Sequence, residues 1–197
     1  MHLALDICQG IGVAAAVGIR PFLPALVVGA LAAGDVELHV QGTDYSFLRG
    51  VPFLLAMVLL TIVVAFVQRR WPKSTQQQRG PFTIVLALAG LALGALLFAG
   101  ALQRGHNAAW PGWIGGVLCA AVALAATMPL IVRVRGRMEQ SIAATLPIYV
   151  EAVAVLFAAL SVLAPPVGPI GLLVLLWLLV AGRGREQQKY AGLRILR

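Results

Sequence analysis

The chain has 197 residues, 60% of them hydrophobic and only 11% charged, with mean hydropathy +0.92 and net charge +8. Soluble domains run nearer ~45–50% apolar and ~25% charged, so a water-facing fold this short cannot hide so much apolar surface. The composition therefore excludes a soluble domain and predicts an all-α polytopic membrane protein. Its basic residues lie between apolar runs, without aromatic interleaving or zinc-type spacing, which argues against nucleic acid as a partner.

A spanning helix needs about 20 mostly apolar residues to cross a hydrocarbon layer of ~30 Å. Six segments read as spans: about 3–33, 51–68, 81–102, 112–132, 142–164 and 166–182. The first is too long for one straight helix. It opens with Asp6 and no basic residue, unlike a cleavable signal peptide, and carries "AVGIRPFLPAL" at 16–26.

Proline lacks an N–H and clashes with the carbonyl four residues back. Pro21 therefore frees the carbonyl of Val17, and Pro24 that of Arg20; Gly18 permits a sharp bend. A helix restarting at Pro21 points its free N–H groups and positive dipole end inward beside a permanent guanidinium. That combination attracts anions with planar oxygens. Gly18, Arg20, Pro21, Phe22 and Pro24 are thus expected to form a substrate-binding break for a small anionic solute.

The following stretch, 34–50, holds Asp35, Glu37 and Asp44. Within it "VELHVQGTDYSF" alternates apolar and polar residues around a turn signal, reading as a short exposed hairpin. It is either a solvated loop or a lid. Span two ends in "QRRWPKSTQQQRG". Span three contains "LAGLALGALLFAG", where Gly90 and Gly94 form a G-x-x-x-G pair suited to close helix packing within the chain, or else to a homodimer face.

Trp110 and Trp113 anchor the start of span four at an interface, as Trp71 does the end of span two. Span four contains "TMP", where Thr127 and Pro129 mark a second break and Pro129 frees the carbonyl of Ala125. Shifting span one by 105 residues sets Gly10 on Gly115 and Pro24 on Pro129. A 3+3 inverted repeat would follow, with halves 1–110 and 111–197 and a site at corresponding breaks. Spans five and six are joined by the tight turn "APPVG", and a basic tail follows.

Positive-inside bias sets the orientation. Twelve of the fifteen basic residues follow spans two, four and six, leaving Arg49 and Arg104 opposite and Arg20 within span one. Six spans then place both termini in the cytoplasm, with the basic clusters contacting anionic lipid headgroups.

Glu151, in "LPIYVEAVAVL", is the acidic residue well inside a span. An isolated charge there costs roughly 2.5–3.5 kcal/mol, so an Arg20–Glu151 ion pair between spans one and five is the expected solution. Asp6 is the rival partner, about 21 Å away along a continuous helix. Cys8 and Cys119 read as buried packing residues. His2, His39 and His106 form no shared helical face, no catalytic triad and no metal motif. No enzyme activity, cofactor, heme or metal site is expected.

"GIRPFLPALVVGALA", "GTDYSFL" and the terminal "KYAGLRILR" together resemble a family of small bacterial multi-pass inner-membrane proteins known as a domain of unknown function. The likeness implies a bacterial inner-membrane protein and gives no role to Arg20 or Glu151. Three functions compete. The first is a transporter or channel for an anionic solute. The others are a non-transporting scaffold or accessory subunit, and a protein binding a lipid or quinone between loosely packed helices.

Overall fold

The computed structural model describes residues 2–34, 45–70, 81–104, 107–135 and 145–193. Among them are seven α-helices: α1 His2–Ile19, α2 Phe22–Ala33, α3 Val51–Arg70, α4 Pro81–Arg104, α5 Trp110–Arg135, α6 Leu146–Leu163 and α7 Val167–Leu193. A 3-10 turn, Ser46–Arg49, precedes α3. Most of the expected exposed hairpin, and the basic residues Lys73, Arg79, Arg137, Arg194 and Arg197, lie outside the described residues.

Helices α4, α5 and α6 are long and apolar enough to cross a membrane, while α1, α2, α3 and α7 contribute shorter apolar stretches. The chain is a helical membrane protein, as its composition requires. Its outward surface is a coat of Leu, Ile, Val, Phe and Trp, exemplified by Leu59, Ile62, Leu88, Leu118, Leu156 and Trp177, all well exposed.

Helix α1 is the central post, packed by α4, α5, α6 and α7. Its middle, "GVAAAVG", has the small side chains that let four neighbours approach at once; Ala14 to Val17 are 0% exposed. Gly12 shows how tight this is: a Cβ there would stand 2.6 Å from the Gly168 Cα. Gly90 and Gly94 face the backbone carbonyls of Val17, Ala14 and Gly116. The G-x-x-x-G pair is therefore spent on packing against α1 and α5.

These contacts fix direction. Gly10 and Gly115 both press on the Phe98 ring, and Gly18 meets Ala120, so α1 and α5 run parallel. Gly12 also meets Ser161 and Gly168, so α6 runs against α1 and α7 runs with it. The start of α1 thus shares one end of the bundle, here the upper end, with Arg104, Trp110 and the α6–α7 turn. The lower end holds the last turns of α3 and α5 and Gly182 of α7, where Arg133 Nη2 donates to the Gly182 carbonyl at 3.0 Å.

The first segment departs from its expected course. Gly18, Pro21 and Pro24 do break it, but α2 folds back instead of continuing downward. Gln9 and Ala32 would be ~34 Å apart in one continuous helix, yet they line the same small cavity, together with Val13, Val28 and Leu97. The chain enters at the upper end, turns at Arg20–Pro21 and returns to the upper end. The segment is a helical hairpin, and the start of α1 lies at the opposite end from Gly182, which corrects the reading of two termini on one side. Among the described residues three helices are long and apolar enough to cross, so six full crossings are not confirmed, and neither is an inverted relation between α1 and α5. Those two run parallel, and α5 is continuous through Pro129.

Candidate functional site

The elbow is built by local chemistry. Arg20 N–H donates to the Ala16 carbonyl at 3.2 Å, the last bond of α1. Pro21 then removes the next donor, and its φ of −73° and ψ of −44° start α2 at once. No side chain caps α2, and because Pro21 and Pro24 carry no N–H, its first turn offers only the Phe22 and Leu23 donors beyond the helical ladder. Gly18 lets the turn sit against α5: a Cβ there would lie 2.7 Å from the Ala120 Cα. Pro21, Phe22 and Pro24 are buried, Phe22 within the core formed with Val17, Ala158 and Leu97. Arg20 is half-buried at the tip.

The other expected site residues lie on neighbouring helices. Glu151 is half-buried on α6, three and seven residues from Ala154 and Ala158, which are 0% exposed. That spacing puts it on the stripe of α6 turned toward the bundle. Counted from the Gly12–Ser161 contact, Arg20 lies about 12 Å and Glu151 about 15 Å toward the lower end, at 1.5 Å per residue. The two charges share a level within one helical turn, but no Arg20–Glu151 ion pair is present among the described residues.

Thr127 sits on α5 on the same face as buried Ala120 and Ala123. Its Oγ donates to the Ala123 carbonyl at 2.7 Å. Pro129 follows, half-buried inside the continuous helix. The structure thus gathers Gly18, Arg20, Pro21, Phe22 and Pro24 into one elbow and leaves Thr127 and Pro129 on a separate helix lower down.

A second polar group lies at the upper end. Asp6, 4% exposed, pairs through Oδ1 with Arg104 Nη2 across α1 and α4. One turn further along α1, Gln9 is 1% exposed and donates through Nε2 to the Val162 carbonyl at 3.4 Å. The remaining oxygens of both residues, Asp6 Oδ2 and Gln9 Oε1, are buried without a hydrogen-bond partner. Beside them Trp113 Nε1 donates to Tyr45 Oη at 3.0 Å, tying the turn before α3 to the start of α5. Asp6, expected as the rival partner for Arg20, is paired with Arg104 instead. The available signal was an acid and an amide three residues apart in an apolar run, with Arg104 closing α4. Among the described residues no three His, Cys, Asp or Glu side chains cluster to hold a metal.

Comparisons with protein-family models, with curated proteins and with solved structures give no match.

Proposed function

We propose that the chain is a small membrane transport protein, a transporter or channel for an anionic solute, with its deep site at the α1–α2 elbow. The fold-back carries this reading. It brings Arg20 and the uncapped start of α2 about 21 Å along α1 from Asp6, fourteen residues at 1.5 Å each. Interrupted helices at such depth are tolerated only when buried in protein or lining a wet cavity. Half-helix N-termini near the midplane are where transporters hold anionic groups. A guanidinium keeps its charge at any working pH, so the elbow carries a fixed positive charge.

In this scheme Gly18, Pro21, Phe22 and Pro24 shape the elbow and Arg20 supplies the charge. Glu151, level with Arg20, gates the site by protonation or by exchanging partners with the solute. Thr127 and Pro129 lie along the route toward the lower end. In this reading the positive-inside bias favours that end as the cytoplasmic one, with the start of α1 outside, in a bacterial inner membrane. One observation favours a non-transporting scaffold instead: the glycine-mediated closeness of α1 to its four neighbours.

Flux of chloride, phosphate and acetate into proteoliposomes separates the readings. Arg20→Gln is expected to lower uptake of the transported anion at least tenfold with its thermal midpoint unchanged, while Arg20→Lys keeps part of it. Equal flux through Arg20→Gln and the parent chain overturns the elbow site. No flux in either, with cysteines at 17–24 closed to an impermeant thiol reagent after Cys8 and Cys119 are replaced, favours the scaffold.

A further inference from the structure

The upper end holds a feature that the transport reading does not use, the 3-10 turn Ser46–Arg49. Leu48 on that turn is 5% exposed and wedges between α2 and α4. On α2, a Cβ at Gly29 would stand 3.0 Å from the Leu48 carbonyl oxygen; on α4, one at Gly100 would stand 3.1 Å from Leu48 Cδ1. Behind the wedge lies a cavity of about 20 Å³ that reaches Gln9 and Val13 of α1. The same seam between α1, α2 and α4 runs down to the elbow, where Gly90 of α4 faces the Val17 carbonyl and Pro21 Cβ. Leu48 closes that seam at its upper end.

The turn is lightly fastened. Its backbone hydrogen bonds run within itself and into α3. Leu48 N–H donates to the Tyr45 carbonyl at 3.0 Å, Gly50 N–H to that of Phe47 at 2.9 Å, and Leu54 N–H to that of Gly50 at 3.2 Å. Helix α3 packs mainly on α2 and this turn, so turn and α3 form one outlying piece. Its tie across to α5 is Trp113 Nε1, which donates to Tyr45 Oη at 3.0 Å. That is a neutral bond of modest net worth. Resting on the transport reading, we propose that this turn is the outer gate of the elbow site, with Leu48 as plug and the Tyr45–Trp113 bond as latch. Breaking the latch lets the turn lift with the head of α3 and draws Leu48 from its slot. Gly29 and Gly100 present bare backbone to the plug, so no side chain of theirs interlocks with it as it leaves. A small anion then enters the seam from the upper side.

The test uses the full chain in proteoliposomes, with Cys8 and Cys119 replaced and a cysteine at Val28, a buried residue lining the cavity. An impermeant thiol reagent should reach it slowly in the latched chain. Trp113→Phe keeps a ring and loses the donor; it should speed labelling roughly threefold to tenfold, the range one neutral hydrogen bond can hold back. Leu48→Ala should speed it as well. A cysteine at Ala123, buried on α5 in a separate part of the core, should stay unlabelled in every variant. Unchanged labelling of Val28→Cys in either variant overturns the gate. So does a reactive Ala123→Cys, the sign of a loosened bundle. For transport, Tyr45→Cys with Gly100→Cys should form a disulfide on oxidation, since the two Cβ positions are 3.6 Å apart, within bonding range. The oxidised chain should lose flux of the transported anion and regain it on reduction. Flux unaffected by that disulfide overturns the gate and leaves the elbow standing. Absence of flux in the parent chain removes the elbow, and Val28→Cys labelling alone then decides whether the turn opens.

Discussion

At the scale of single residues the molecule turns on positions where a side chain has no room or no substitute. A Cβ at Gly18 would meet backbone atoms of Ala120, which cannot rotate away. Gly18→Ala should therefore destabilise the chain by about 1–3 kcal/mol, the usual cost of overpacking, read as a lower thermal midpoint in detergent. Gly50→Ala, against a turn carbonyl 3.0 Å away, should cost less. The buried pair gives a second expectation. Asp6→Ala strips Arg104 of its carboxylate where both side chains are largely covered, 6% and 15% exposed, and should cost about 3 kcal/mol. Asp6→Ala combined with Arg104→Leu should recover much of that loss, and additive losses in the double-mutant cycle would show that the two do not act as a pair. At this scale Arg20, Pro21 and Pro24 were legible as a break because proline's missing donor is a local property. The Asp6–Arg104 pair was not legible. It joins residues 98 positions apart, and its geometry depends on which way α1 points.

Among the elements, hydropathy reported correctly that residues 3–33 are apolar but could not report their direction. An apolar stretch scores alike whether it crosses the bundle or returns. Length held the missing clue. Splitting the segment at Arg20 leaves α2 with 12 residues, about 18 Å of helix, too short to cross ~30 Å of hydrocarbon unaided. The same residue type misled at Pro129, read as a matching break. There the helix runs on, as membrane helices can when neighbours hold the freed backbone, whereas at Pro21 two prolines and Gly18 act within seven residues. α3 is the outlying element, packed mainly on α2 and the 3-10 turn. Its outward stripe of Leu55, Leu59, Ile62 and Phe66 is 58–62% exposed. The 51–68 segment was legible as a helix, and its place at the margin was not, since its partner is the arm whose course was misread.

For the whole molecule the hairpin makes a prediction about sidedness that needs no substrate. In a chain freed of Cys8 and Cys119, cysteines at Leu3 and Phe47, both exposed, should react with an impermeant thiol reagent from one face of the membrane. A cysteine at exposed Arg70 should react from the opposite face. Labelling of Leu3→Cys from the Arg70 side would return the first segment to an ordinary crossing and remove the elbow with it. The all-α membrane architecture was legible because composition alone forces it. The enclosure of α1 by α4 to α7 was hidden, since alanine-rich "VAAAV" is compatible with lipid and with protein alike.

That enclosure also governs how the molecule comes into being. Helix α1 has among its neighbours α4, α5, α6 and α7, all made after it. When α1 leaves the ribosome, none of these helices yet exists to cover its alanines or to answer Asp6. The α1–α2 hairpin therefore settles only after the later helices have arrived. A nascent chain cut short before α6 would hold its earliest residues without a home.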